Sequence, residues 1–229
     1  MDGFTKILTQ RGTTMIMTEK KPIEEIKESL QNSKKVFIIG CGTCATLSQT
    51  GGEEQVKEMA KLLSDKEIVG TLVPETPCDK RTLKRDLRPA SASLKAADAI
   101  LVLSCGAGVQ TVVELTEKLA LPGLNTKFIG MVEHIGAFYQ RCLACGDCIL
   151  DETGGICPIT RCPKGLLNGP CAGHMNEKCE VDREKDCAWV LIYKRMKALG
   201  QLDKFRAFRK PRNHQISTPP QQIVWSSAK

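Results

Sequence analysis

Cysteine content is the feature that most constrains this chain. Twelve of its 229 residues are cysteines, and eight of them lie between residues 142 and 187. Repeated Gly and Pro accompany them there, without a long apolar periodicity. Such a segment buries too little apolar surface to fold unaided and needs cross-links or bound metal. Clustered cysteines in a reducing compartment are more often metal ligands than disulfides. The sequence therefore predicts a cysteine-rich metal-binding module over residues 139–187.

Composition and the N-terminal sequence limit the other possibilities. The hydrophobic fraction of 41% and the charged fraction of 26% are typical of a globular protein and exclude wholesale disorder. Residues 1–21 lack the apolar core of a secretory signal, and no apolar run approaches the roughly 20 residues that cross a bilayer. We therefore expect a cytoplasmic protein with no membrane partner. The net charge of +7 is spread along a chain with only 4% aromatic residues, which disfavours nucleic-acid binding.

Apolar runs alternate with helical periodicity in the first part of the chain. The pattern predicts strands at 35–40, 67–73, 99–103 and 127–132, and helices from Pro22, after Gly52, and at 82–97 and 109–119. Such alternation implies a parallel sheet covered by helices on both faces. We predict an N-terminal arm (1–21), a small doubly wound α/β domain (22–138), the cysteine-rich module (139–187), and a C-terminal helix at 188–208 with an extended tail (188–229).

Four cysteines follow three of the predicted strands. Cys41 and Cys44 come after the first strand, Cys78 after the second and Cys105 after the third. Because the carboxyl ends of parallel strands share one edge of a sheet, these thiols are expected to meet in one crevice and to hold an iron–sulfur core. Inert buried cysteines and, for the first pair, a thioredoxin-like dithiol are the alternatives. The segment 40–45 also fits the dinucleotide-binding motif G-x-G-x-x-A. However, a helical pattern does not begin at once after it, and no acidic residue ends the second strand at the distance that the motif requires.

The remaining thiols form a second group. They are Cys142, Cys145, Cys148, Cys157, Cys162, Cys171, Cys179 and Cys187. The first three, with a later Cys-Pro, approximate a bacterial ferredoxin run, although the gap before Cys157 is too long. Eight soft ligands could serve two centres, iron–sulfur or tetrahedral zinc, and their partition stays open. The histidines (134, 174 and 214) show no paired ligand spacing, and His174 is only a minor zinc candidate. We predict no catalytic residue.

The stretch CLACGDCILDETGGICPITRCPKGLLNGPCAG, continued by CEVDREKDCAWVLIYKRM, resembles the methylenetetrahydrofolate reductase C-terminal domain family. One departure is Ala172, where this family suggests Gly, and it touches no candidate ligand. The α/β domain in front of the stretch, with no flavin-binding barrel, makes the chain similar to the small iron–sulfur subunit of acetogen-type methylenetetrahydrofolate reductase. The resemblance covers about residues 22–210.

This resemblance implies electron transfer rather than carbon chemistry. It implies [4Fe–4S] clusters, two in number, with zinc as an option for the remaining thiols. The flavin would be bound only by a partner, the flavin-containing methylenetetrahydrofolate reductase subunit of one-carbon metabolism in the acetyl-CoA (Wood–Ljungdahl) pathway. Ferredoxin or another redox subunit would be the electron donor. The alternative is a zinc-stabilised scaffold without a redox role.

Overall fold

A computed structural model describes residues 15–224, which divide into two compact units between Tyr139 and Gln140. We call them the α/β unit and the cysteine-rich unit. The strands are β1 (Ile16–Lys20), β2 (Lys35–Ile39), β3 (Glu67–Leu72), β4 (Ala99–Val102), β5 (Ala120–Pro122), β6 (Leu124–His134) and β7 (Ala137–Cys142). The helices of the α/β unit are α1 (Ile23–Ser29), α2 (Cys44–Leu47), α3 (Glu53–Leu62), α4 (Lys80–Leu87), α5 (Ser91–Ala96) and α6 (Gly106–Thr116). None of the helices described is long and apolar enough to cross a bilayer.

A four-stranded parallel sheet, in the order β3-β2-β4-β5, forms the centre of the α/β unit. Its strands are apolar on both faces because helices cover both. Val36 and Ile38 of β2 pack with α1 and α3, whereas Phe37 and Ile39 pack with α4, α5 and α6. Ile39 is in register with the last residues of β3 and β4, so these three strands end side by side. The predicted doubly wound parallel sheet is confirmed.

One predicted strand has a different partner. Residues 127–132 were expected to complete the parallel sheet, but β5 takes that place. They lie instead within β6, which pairs antiparallel with β1 in a second sheet of order β1-β6-β7. Polar residues around the apolar run, such as Asn125 and Glu133, suit a strand that is largely exposed rather than one buried on both faces. Strand β1 also occupies part of the predicted N-terminal arm; residues 1–14 lie outside the described range.

Two predicted helices are interrupted. The helix at 82–97 is divided into α4 and α5 around Pro89, because proline removes a backbone donor and clashes with the preceding turn. The C-terminal helix at 188–208 is divided into α8 (Ala188–Ala198) and α9 (Leu202–Arg206), with Gly200 between them at φ 67°. The helix predicted at 109–119 begins earlier, directly after Cys105, and ends at Thr116.

The cysteine-rich unit has little regular structure before α8. It contains the single turn α7 (Pro158–Arg161), two isolated bridges at Lys178, and a 3₁₀ turn at His214–Ser217. Its main hydrophobic cluster has four buried members: Cys187, Trp189, Ile192 and Met196. The Trp189 indole donates a hydrogen bond to the Leu166 carbonyl (3.1 Å) and packs edge-on against Phe205. Helix α8 therefore carries most of the core of this unit.

Candidate metal centres

The four cysteines of the α/β unit lie in the three loops that leave β2, β3 and β4. Cys44 begins α2, and Cys105 is the N-cap residue of α6. The Gly42 N–H of the first loop donates to the Pro74 carbonyl of the second (2.9 Å). The second loop also approaches the first turn of α6, which follows the third loop, because a Cβ on Gly108 would lie 3.4 Å from Pro77 Cγ. The structure thus places the three loops close together at the carboxyl edge of the sheet.

The thiols in these loops influence one another electrostatically. Burial raises the pKa of Cys44, and the charges of Cys41 and Cys105 raise it further. Cys78 is an exposed residue, but partial desolvation of its thiol is still the largest cause of its raised pKa, followed by the charges of Cys105, Cys41 and Cys44. Four thiolates at this edge would repel one another unless a cation lay among them. Their donor chemistry therefore fits a metal centre that needs several thiolate ligands.

Polar groups around these thiols come partly from the antiparallel sheet. The backbone of Ile16 in β1 hydrogen-bonds the Cys44 thiol, which opposes the upward pKa shift. The Thr43 hydroxyl lies 3.5 Å from Cys41 Sγ. The Gly106 N–H at the start of α6 donates to Thr126 Oγ1 of β6 (2.9 Å). No local sequence pattern predicts that β1 and β6 pair beside the cysteine loops, so the groups of Ile16 and Thr126 could not be found from the sequence.

In the cysteine-rich unit, the loop of Cys142, Cys145 and Cys148 is covered by the C-terminal tail. Arg209 binds the carboxylates of Asp147 (2.7 Å) and Glu152, and Arg212 Nη2 donates to the Cys145 carbonyl (2.9 Å). The Arg212 side chain is only 8% exposed. The Nε atoms of both arginines are buried and have no hydrogen-bond partner among the residues described. The tail, predicted only as an extended segment, therefore places two guanidinium groups beside this cysteine loop, both of them ion-paired with Asp147.

Four other cysteines line one small cavity in the same unit: Cys162, Cys171, Cys179 and Cys187. The cavity has a volume of about 10 Å³, and Leu166, His174 and Trp189 also contribute to its wall. A hydrogen bond from the Gly173 backbone, followed by the charge of Lys164, lowers the pKa of Cys171 and favours its thiolate. Cys157 lies outside this lining and faces a separate cavity with Thr160 and Arg161. The predicted second group of eight thiols is thus divided in space.

All twelve cysteines fall within residues 15–224, and the structure shows them as thiols rather than disulfides. Over the same range, no three His, Cys, Asp or Glu side chains converge closely enough to hold one metal ion as they stand. The structure therefore brings the predicted ligands together in groups, but their side chains do not have the geometry of a metal site. Neither His134 nor His214 lines the cavity formed by the second group of cysteines.

Comparison with known proteins gives one match. Residues 121–215 match the family described as "Methylene-tetrahydrofolate reductase C terminal". No curated protein and no solved structure matches the chain. The matched segment contains all eight cysteines of the second group, so the resemblance stated from those residues is confirmed for this part of the chain.

Proposed function

From the methylene-tetrahydrofolate reductase C-terminal domain that the chain contains, we propose that it is an electron-transferring iron–sulfur subunit. Its partner would be a flavin-containing methylenetetrahydrofolate reductase subunit, which performs the carbon chemistry of one-carbon metabolism in the acetyl-CoA pathway. Ferredoxin or a further redox subunit would supply the electrons, in the cytoplasm. The chain itself would contribute thiolate ligands and no acid–base catalyst.

The observation that carries this proposal is the meeting of three cysteine loops at one sheet edge. We assign Cys41, Cys44, Cys78 and Cys105 to one [4Fe–4S] cluster, which when bound accepts and releases single electrons. The Thr43 hydroxyl and the Ile16 backbone lie where they can hydrogen-bond the ligand sulfurs. Hydrogen bonds of this kind stabilise negative charge on sulfur and so raise a reduction potential. The cysteine-rich unit would hold the second centre.

A zinc-stabilised scaffold is the second candidate. The small buried cluster around α8 favours it, because a unit with so little core needs metal for stability alone. This candidate predicts metal in the cysteine-rich unit but no redox-active iron in the α/β unit. The two candidates therefore differ in the metal bound by Cys41, Cys44, Cys78 and Cys105.

The test is anaerobic purification of the full chain with assays of iron and acid-labile sulfide. We expect a brown protein whose thiolate-to-iron absorption bleaches on reduction by dithionite and which then shows a paramagnetic signal. Cys105→Ser should lose the iron and sulfide of one cluster, while Ala107→Ser, exposed two residues further on, should retain them. A colourless chain with zinc as its only metal would overturn the electron-transfer role and support the scaffold.

A further inference from the structure

We infer that one set of four thiols in the cysteine-rich unit forms a tetrathiolate site for a single zinc ion, separate from any iron–sulfur centre. Its ligands are Cys162, Cys171, Cys179 and Cys187. This inference goes beyond the proposed function, which assigns no metal to these four residues. It rests on the cavity that they share and on the backbone that holds them around it.

The size of the cavity favours one ion. Its volume of about 10 Å³ corresponds to roughly one water-sized sphere. A [4Fe–4S] core contains eight inorganic atoms, so it would require a larger displacement of the walls than a single ion. The walls are not easily displaced, because Cys187 and Trp189 are at most 8% exposed and belong to the buried cluster of α8. The Trp189 indole is also held by the Leu166 carbonyl.

The backbone brings the ligands in from two sides. Cys162 ends α7, and Cys187 is the N-cap residue of α8. Between them the chain folds back on itself: the Cys187 N–H donates to the Glu177 carbonyl (2.7 Å), and the Cys179 N–H donates to the Lys185 carbonyl (2.9 Å). Two of the four cysteines are therefore held on adjacent backbone segments beside the cavity.

Binding requires the sulfurs to turn inward. Four thiolates around one zinc, each bonded at about 2.3 Å, lie about 3.8 Å from one another. No three described ligand side chains have that arrangement as they stand. Rotation of cysteine side chains between staggered χ1 positions supplies such a movement without moving the backbone. Soft thiolates in a tetrahedral set select zinc over harder divalent ions such as magnesium.

If four of the eight cysteines bind zinc, the other four remain as ligands for an iron–sulfur centre. Neither Cys157 nor the loop that contains Cys142, Cys145 and Cys148 contributes to its lining. These four residues form the complementary set, and within it the Cys145 carbonyl accepts a hydrogen bond from Arg212 of the tail.

The experiment measures zinc and iron per chain in the full-length protein and in four variants, all purified anaerobically. We expect one zinc per chain in the parent protein. Cys179→Ser should lower it at least fivefold without changing iron, whereas Cys179→His should keep it, because histidine is also a zinc ligand. Val181→Ser, an exposed position in the same loop, is the matched control and should keep zinc and iron. Cys148→Ser should lose iron and keep zinc.

Other outcomes would overturn the inference. A parent chain with iron but no zinc would do so and leave the electron-transfer role intact. Loss of iron rather than zinc in Cys179→Ser would do so as well, because it would place a cluster on these thiols. Zinc retained at the parent level in Cys179→Ser would overturn it too, because the site would then not need this thiol. Zinc without iron in the parent would refute the proposed function and leave this site standing.

Discussion

Gly51 offers a direct test of the loop geometry on which the first centre depends. Its carbonyl accepts the hydrogen bond of the Cys41 N–H (2.8 Å), so it helps to position the first cysteine loop. A Cβ at residue 51 would lie 2.0 Å from the Leu103 carbonyl oxygen and 2.9 Å from the carbonyl carbon. Because both are backbone atoms, Gly51→Ala must move either its own loop or the end of β4.

The expected cost follows from these contacts. Overpacking of this kind costs about 1–3 kcal/mol, and loss of the Cys41 hydrogen bond adds about 1 kcal/mol. We therefore expect Gly51→Ala to lower the free energy of unfolding by about 2–4 kcal/mol. The same displacement should reduce the iron bound by the loops, because a loop that carries ligands has moved.

Urea denaturation followed by circular dichroism measures this change, with iron assayed on the same samples. Gly106→Ala is the matched control, since it is also next to a cysteine at this edge but its Cβ would meet only Thr126 Oγ1 at 3.8 Å. That variant should equal or slightly exceed the parent in stability. If Gly51→Ala unfolded at the same urea concentration as Gly106→Ala and kept its iron, the proposed contact between the loops would be wrong.

Three further perturbations test other parts of the molecule. Leu101→Ala, in the buried centre of β4, should lower the free energy of unfolding in urea by about 2–5 kcal/mol. Its control is Leu119→Ala, at a residue that is 55% exposed, which should lower it by less than about 0.5 kcal/mol. Arg212→Ala should destabilise the cysteine-rich unit by about 1–3 kcal/mol and should speed proteolysis of the tail. Its control is Arg206→Ala, at a side chain that is 74% exposed, which should change neither the stability nor the rate of proteolysis. In the metal-free folded chain, the pKa of Cys78 is raised above its ordinary value of 9.0. As the pH rises past 9.0, this thiol therefore ionises in the unfolded chain before it ionises in the folded chain. The free energy of unfolding should therefore fall above that pH, and less steeply in Cys78→Ser; a fall of equal slope in both proteins would contradict the assignment.

The parallel sheet was predictable because its strands are apolar on both faces. In β2, residues 36–39 are all buried, and both helix layers contact them. The apolar run at 127–132 was wrongly assigned to the parallel sheet, because such a run does not identify the strand with which it pairs. Pairing of β6 with β1 depends on contacts between residues more than 100 positions apart, such as Ile16 with Ile129. Local periodicity carries no signal for contacts of that kind.

The candidate centres were predictable to different degrees. Parallel topology alone implied that Cys41, Cys78 and Cys105 share an edge, because loops after parallel strands emerge on the same side. No comparable rule applies to the cysteine-rich unit, which has almost no regular structure in front of α8. Its division of thiols depends on turns and on the bridges at Lys178, and cysteine spacing does not report these. The tail arginines also gave no local signal, since their partners lie more than 50 residues earlier.

The two units differ in what metal binding has to accomplish. The α/β unit has a large hydrophobic cluster on each face of its sheet, and only one of its candidate ligands, Cys41, belongs to them. The cysteine-rich unit has one small cluster, and a member of that cluster, Cys187, is itself a proposed ligand. Zinc binding at the proposed site would therefore be coupled to the folding of this unit. In a unit with so small a core, the proposed zinc ion would serve chiefly to hold the fold together.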